Sequence, residues 1–108
     1  MKALNLVILF IALAGCSAKT MQGEERLGEL RGRIDQIDAD LVRLLGARLA
    51  VARDIGAVKK EMGKPVVDPA REAQVVDRFV RMAAQDGVPE ATARAIITSL
   101  IAASRAQQ

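Results

Sequence analysis

Two cations on one predicted helix are the residues of this sequence best placed to do chemistry. Apolar residues recur three and four apart from about Glu24 to about Met62, and the pattern calls for an apolar side chain where Arg48 stands. Lys59 follows eleven residues later, about 20° around the helix axis and roughly 16 Å along it. The two side chains can therefore lean toward one small anion. Taken singly, each also fits a surface cation whose aliphatic stem lies along the apolar stripe.

Arg31, Ser104 and Gln108 extend this set of candidates. Arg31 lies seventeen residues before Arg48, about 25 Å along the helix and about 100° around it. That is too far for a shared site within one chain, but an antiparallel dimer would bring Arg31 to the partner's site. Ser104 and Gln108 are four apart and continue the apolar face of the last predicted helix, as the wall of a pocket would. The alternative for these two is a fraying polar C-terminus.

The composition limits the chemistry that such residues can perform. The 108-residue chain has no His and a single Cys, Cys16, which excludes Ser-His-Asp and Cys-His catalysis, the usual zinc ligand sets and an intrachain disulfide. We expect no cofactor and no metal. The formal charge of +3, without a basic stripe or stacking aromatic residues, argues against nucleic-acid binding and leaves a small anion as a ligand.

The N-terminus has the pattern of an export signal. Lys2 precedes an apolar run from Leu4 to Ala14, which is shorter than the ~20 residues of a membrane span. The run ends in LAGC, which resembles the lipobox of bacterial lipoproteins.

This resemblance implies how the N-terminus is processed. Residues 1–15 would be the signal peptide, Cys16 would be acylated, and residues 16–23 would form the acylated cysteine and a polar spacer. Ser17 after the cysteine implies the outer membrane if the host is Gram-negative. The protein is therefore expected on the periplasmic face, attached to the membrane only through its lipid anchor.

Three helices are predicted after the spacer, so the fold class is all-α. The predicted bounds are about Glu24 to about Met62, Pro69 to about Gln85, and Pro89 to the last residue. Gly63 ends the first helix, Asp68 caps the second, and Asp86-Gly87 ends it. The third helix is expected to turn Ile96, Ile97, Leu100 and Ile101 inward. A first helix on the order of 55 Å would outreach a domain of this size, so its apolar stripe predicts a homodimer.

Three stretches together resemble a known enzyme family. They are LRGRIDQIDADLVRLLGARLAVARDIGAVKK, then GKPVVDPARE, then a final Ser and Gln four apart. Their order and spacing from Leu27 to Gln108 are similar to those of the all-helical (type II) chorismate mutases. The resemblance implies a domain over residues 24–108, with one long and two shorter helices in an intertwined homodimer. It also implies conversion of chorismate to prephenate, a unimolecular Claisen rearrangement that needs no nucleophile, metal or net proton transfer.

The resemblance assigns the substrate-binding residues. They are Arg31 from the partner chain, Arg48, Lys59, Asp68, Arg71, Glu72, Ser104 and Gln108. By motif position, Arg31 and Arg48 bind the substrate carboxylates, and Lys59 hydrogen-bonds a carboxylate and the ether oxygen. Gln108 meets that oxygen from the opposite side and, with Ser104, closes the site. Arg48, Lys59 and Gln108 are thus the expected catalytic residues.

The loop before the second helix is expected to hold the ring of the substrate. By the same resemblance, Asp68 and Glu72 receive the ring hydroxyl, Asp68 through its backbone, and Arg71 lies nearby. The charges at both ends of the stretch from Lys59 to Glu72 are then explained by their facing the substrate.

Two other functions fit parts of the sequence. An isochorismate pyruvate lyase resembles the mutases in fold and basic residues and also performs a pericyclic step on a dianion, but the acidic DPARE stretch favours the mutase. A non-catalytic helical lipoprotein would use its long apolar stripe to bind a partner. In that case Arg48, Lys59 and Arg71 would be ordinary surface cations.

Overall fold

The computed structural model describes the backbone of residues 2–108 and the side chains of residues 18–108. It contains three helices, which are α1 (Lys2–Met62), α2 (Pro69–Gln85) and α3 (Glu90–Gln107). The described residues form no strand, so the predicted all-α class is confirmed. The chain divides into two compact units, residues 1–42 and residues 43–108.

The end of α1 and the start of α2 place the central loop. Gly63 takes a φ of 66°, which a glycine adopts without strain, and the Lys64 N–H donates to the carbonyl of Lys59 at 2.8 Å. This Schellman motif turns the chain away one turn after Lys59. Asp68 then caps α2, because its Oδ1 accepts from the backbone N–H of Arg71 at 3.1 Å, and Pro69 is the first helical residue. All these predicted boundaries are confirmed.

The α2–α3 connection is equally tight. Gly87 has a φ of 76°, and the Val88 N–H donates to the carbonyl of Ala83 at 2.8 Å, which repeats the motif that ends α1. Pro89 is the N-cap of α3 and Glu90 its first residue, one position later than predicted. The two helices are therefore antiparallel neighbours, and the start of α2 lies beside the end of α3.

The predicted start of α1 near Glu24 is wrong, because the helix begins at Lys2. The segment expected to be a spacer contains Ala18, Lys19, Met21 and Gln22, all good helix formers, and no proline interrupts the chain before Pro65. Gly23 alone does not break a helix of this length. The side chains of the predicted signal peptide, residues 1–15, and of the predicted acylation site, Cys16, lie outside the described residues. Over the described side chains, none of the helices has a stretch long and apolar enough to cross a membrane.

The core of residues 43–108 is small, with few fully buried apolar side chains. Its buried apolar residues are Ala52, Ala93 and Ile97, each at most 5% exposed. Ile96 is 43% exposed, so its predicted inward position is wrong. The reason is geometric: adjacent helical residues point about 100° apart, and Ile97 occupies the inward direction.

The apolar stripe of α1 is largely exposed in the single chain. In residues 1–42 it includes Ile34, Ile37 and Leu41, which are 53–62% exposed. In residues 43–108 it includes Val51, Val58 and Met62, which are 52–60% exposed. Among the described side chains of α1, Ala52 is the buried one, and it lies beside this predicted stripe rather than on it.

Candidate active site

One cavity within residues 43–108 collects most of the predicted site residues. Its volume is about 380 Å³, within the range of roughly 300–1,000 Å³ typical of small-molecule sites. All three helices contribute. The charged and polar lining residues are Arg48, Lys59, Asp68, Arg71, Glu72, Arg78, Ser104, Arg105 and Gln108. With five cations against two carboxylates, the lining favours an anionic ligand.

Arg48 is oriented by the last turns of α3. Its Nη1 donates to Ser104 Oγ at 2.8 Å, and the hydroxyl of Ser104 donates to the carbonyl of Leu100 at 2.7 Å. Ser104 is 9% exposed, which fixes its hydroxyl in one environment. Arg48 has five N–H donors in all, so one bond to Ser104 leaves most of its planar fork available to a carboxylate in the cavity.

Lys59 is fixed from two sides. Its Nζ donates to the carbonyl of Val66 at 2.7 Å and to Gln108 Oε1 at 3.0 Å. An ammonium group has three donors, so one N–H remains for a ligand. Because Oε1 of Gln108 accepts from Lys59, the amide N–H donors of Gln108 are the ones left for the cavity; this orientation is assigned from the hydrogen bond. The pair can therefore present two donors to one oxygen.

Gly56 allows Gln108 to reach Lys59. A Cβ built at Gly56 would lie 2.8 Å from Gln108 Cα and 3.0 Å from its Cβ and Cγ. Real Cβ contacts are essentially never shorter than 3.0 Å, so a side chain at this position would force Gln108 to move. The end of α3 thus packs directly on the bare backbone of α1 at this point. A second bond, from Arg53 Nη1 to Gln107 Oε1 at 3.0 Å, holds the neighbouring residue in place.

Glu72 is paired with Arg105. The Nε of Arg105 donates to Glu72 Oε1 at 2.7 Å and its Nη2 donates to Oε2, so the contact is bidentate. The hydrogen bond from Arg105, helped by the positive charges of Arg105 and Lys59, holds the pKa of Glu72 below its ordinary value of 4.5, against an opposing effect of desolvation. Glu72 is therefore an ionised acceptor at neutral pH.

The first turn of α2 supplies the remaining polar groups. The side chain of Asp68 caps the helix, and its carbonyl accepts from the Glu72 N–H at 2.9 Å. Neither the guanidinium of Arg71 nor that of Arg78 has a hydrogen bond or ion pair within the described part of the chain. Residues 71 and 78 are seven apart, on one face of α2, and both line the cavity.

Seven of the eight predicted substrate-binding residues therefore lie around one cavity. The eighth, Arg31, lies in residues 1–42, outside the unit that contains the cavity. The sequence reasoning missed Gly56, Arg78 and Arg105. Arg78 could have been found from its seven-residue spacing to Arg71, and Arg105 from the antiparallel arrangement that sets the end of α3 beside Glu72. No sequence signal distinguishes Gly56 from the other helical glycines. The described residues contain no group of three or more metal-binding side chains.

Comparison with known families identifies the family to which this chain belongs. A family model described as chorismate mutase type II matches residues 30–108. The chain belongs to the type II chorismate mutase family. The matched region includes Arg31, the whole cavity lining and Gly56.

Individual relatives agree with this membership. The chorismate mutase of Methanocaldococcus jannaschii is 33% identical over 84 residues, which are 78% of this chain and 85% of that protein. A bifunctional chorismate mutase/prephenate dehydratase of Aquifex aeolicus is 38% identical over 58 residues, 54% of this chain and 16% of that protein. The 4-amino-4-deoxychorismate mutase of Streptomyces pristinaespiralis is 35% identical over 75 residues, 69% of this chain and 58% of that protein.

Proposed function

We propose that this protein is a chorismate mutase that converts chorismate to prephenate in the cavity of residues 43–108. The observation that carries the proposal is the convergence of Arg48, Lys59 and Gln108 on one cavity with a surplus of positive charge. The substrate is a small dianion. Its rearrangement is intramolecular: the C–O bond to the ether oxygen breaks while a C–C bond forms, and no proton is transferred. Family membership supports the same reaction.

Orientation is the first contribution that the site can make. Chorismate must be held in its compact reactive conformer, and a rigid, multi-point anion site supplies that restraint without any reacting group of its own. Arg48 is suited to one carboxylate because Ser104 fixes its guanidinium at 2.8 Å while leaving donors free. We assign the other carboxylate to Arg31 of the partner subunit, on the basis of its motif position.

Electrostatic stabilisation is the second contribution. Negative charge grows on the ether oxygen as the C–O bond lengthens, and Lys59 and Gln108 each keep a donor for an atom between them. Their mutual bond of 3.0 Å aligns both donors before the substrate arrives, so little reorganisation is needed in the transition state. A donor of this kind is typically worth about 10²–10³ in rate, or about 3–4 kcal/mol.

Recognition of the ring is the third contribution. Glu72 is an ionised acceptor at the start of α2 and faces the cavity, so it is suited to the ring hydroxyl. Asp68 uses one side-chain oxygen, Oδ1, to cap α2, and we assign its backbone to that hydroxyl by motif position. Arg71 lies beside both residues with an unpaired guanidinium.

We also propose that the working enzyme is a homodimer. The apolar side chains of α1 support this, because the described chain leaves Ile34, Ile37, Val51 and Met62 between 56 and 62% exposed. Burying this stripe against a second copy would remove it from water. The same association would bring Arg31 of the partner subunit to complete the site.

Export and lipid anchoring are a separate proposal. It is supported by the apolar run from Leu4 to Ala14 and by the LAGC stretch that follows, with Cys16 at the acylation position. The anchor would hold the mutase domain at the periplasmic face of a membrane.

Incubation of the purified chain with chorismate tests the proposed activity. We expect chorismate to be consumed and an equal amount of prephenate to form, both measured by chromatography. A parallel incubation with isochorismate distinguishes the lyase, which would release pyruvate and salicylate. A folded protein that acts on neither substrate would favour the non-catalytic lipoprotein.

A further inference from the structure

Glu72 forms an ion pair with Arg105, a residue to which the proposed function assigns no role. This ion pair joins the first turn of α2 to the last turn of α3, and both side chains line the cavity. The side chain of Glu72 is 20% exposed, compared with 65% for Glu90, which forms an ordinary surface pair with Arg94. A bidentate contact between two planar groups fixes the orientation of the carboxylate as well as its charge.

The fork still leaves Glu72 able to accept a hydrogen bond from a ligand. The two carboxylate oxygens offer about four lone-pair positions, and Arg105 occupies only two of them. However, the guanidinium also compensates the charge of the carboxylate. A ligand therefore meets a polarised acceptor with little net charge rather than a bare anion.

Two ring substituents would respond differently to this compensated acceptor. A hydroxyl group is neutral and needs only a well-oriented acceptor. An ammonium group would gain from a bare carboxylate, but here it must approach the guanidinium of Arg105 at the same time, and like charges repel. Lys59 faces Glu72 from α1 and adds to the repulsion, while Asp68, before α2, opposes it.

We propose that Arg105 is a positioning residue that makes this site select a ring hydroxyl over a ring ammonium group, through its fork on Glu72. The inference rests on the proposed function, because it requires that Glu72 face the ring substituent of chorismate. One family relative is a 4-amino-4-deoxychorismate mutase, so the amino compound is a natural probe for the alternative substituent.

The test compares kcat/KM for chorismate and for 4-amino-4-deoxychorismate in the full chain and in Arg105 variants. Wild-type protein should prefer chorismate. Arg105→Met and Arg105→Gln remove the charge, and each should raise the ratio of amino to hydroxyl turnover by about tenfold or more. Arg105→Lys keeps the charge and should keep the ratio near that of the wild type. Arg94→Met is the matched control, because it removes an exposed Arg–Glu pair of the same helix outside the cavity lining.

The outcomes separate this inference from the proposed function. If Arg105→Met and Arg105→Gln lower turnover of both substrates equally, the ion pair has only a structural role and the inference is overturned. Should Arg105→Met not fold, Arg105→Gln decides alone, with folding checked by circular dichroism. If wild-type protein does not act on chorismate at all, the proposed function fails and the selectivity fails with it.

Discussion

Replacement of Gly56 by alanine should separate substrate turnover from folding. The added Cβ would lie 2.8 Å from Gln108 Cα, whereas ordinary van der Waals contact begins at 3.4 Å, so the end of α3 must retreat by about 0.6 Å. If the movement lies along the hydrogen bond, the Lys59–Gln108 distance rises from 3.0 Å to about 3.6 Å, beyond hydrogen-bonding range. The two donors proposed for the ether oxygen would then lose their alignment.

The expected size of the effect follows from this displacement. A misplacement on the order of 1 Å can cost about 10²-fold in rate, so we expect Gly56→Ala to lower kcat/KM for chorismate by roughly 10- to 100-fold. The reduction should fall mainly on kcat, because the added Cβ would meet Gln108 and neither Arg48 nor Ser104. Helix propensity acts in the opposite direction, since alanine in a helix interior is favoured over glycine by about 1 kcal/mol.

Gly46 provides the matched control. It also lies in α1 within residues 43–108, and a Cβ there would meet nothing within 4 Å. Gly46→Ala should therefore keep full activity and raise the melting temperature by several degrees, about 4–8 °C per kcal/mol for a domain of this size. Steady-state kinetics and thermal unfolding of the two variants make the comparison. A Gly56→Ala enzyme as active as Gly46→Ala would refute the close packing of Gln108 on α1.

Three further predictions concern assembly, export and pH. Arg31→Ala and Arg48→Ala chains should each be inactive alone. Refolded together in equal amounts, they should regain about a quarter of the wild-type sites, because half of the dimers are mixed and each mixed dimer has one site with both arginines. No recovery of activity would contradict the donation of Arg31 by the partner subunit. In a bacterial host that processes lipoproteins, the mature chain should begin at an acylated Cys16 by intact mass, whereas Cys16→Ser should carry no acyl chain; an unacylated wild type would contradict the anchor. Arg105→Met should move the acid limb of the kcat/KM profile to higher pH, because the pKa of Glu72 rises toward 4.5 once its partner is lost. An unmoved limb would contradict the proposed contact between the Glu72 carboxylate and the substrate, because protonation of Glu72 would then not affect activity.

The sign of the last prediction also applies to stability. The folded state lowers the pKa of Glu72, so its pairing with Arg105 stabilises the fold above pH 4.5. That contribution is lost as the pH falls through the lowered pKa. The free energy of unfolding, measured above pH 4.5 and below the lowered pKa of Glu72, should therefore change less with pH in Arg105→Met than in the wild type.

The sequence predicted the boundaries between helices well because they depend on local chemistry. Gly63 and Gly87 can take positive φ values, and Asp68 followed by Pro69 is typical of a helix start. The start of α1 was mispredicted because the three-four spacing of apolar residues begins only near Glu24. The backbone can be helical before that point, because helicity depends on residue propensity and on the absence of proline.

The candidate site was predictable to the extent that charge patterns report it. Arg48 interrupts the apolar stripe of a helix, Lys59 lies about 20° from it around the axis, and both line the cavity. Gly56 and Arg105 could not be found in this way, because their roles depend on how closely α3 approaches α1 and α2. That approach is set by tertiary packing around Ala52, Ala93 and Ile97, which apolar periodicity does not resolve.

Turnover of chorismate by the wild type beside Lys59→Ala tests the central claim most directly. We expect the purified chain to form prephenate and Lys59→Ala to lose about 10²–10³ in kcat, since it removes a donor to the ether oxygen and leaves Gln108 Oε1 unbonded. Lys60→Ala, which removes the adjacent exposed lysine, should stay within about twofold of the wild type. A folded wild type that forms no prephenate, or a Lys59→Ala variant that remains as active as Lys60→Ala, would contradict the account.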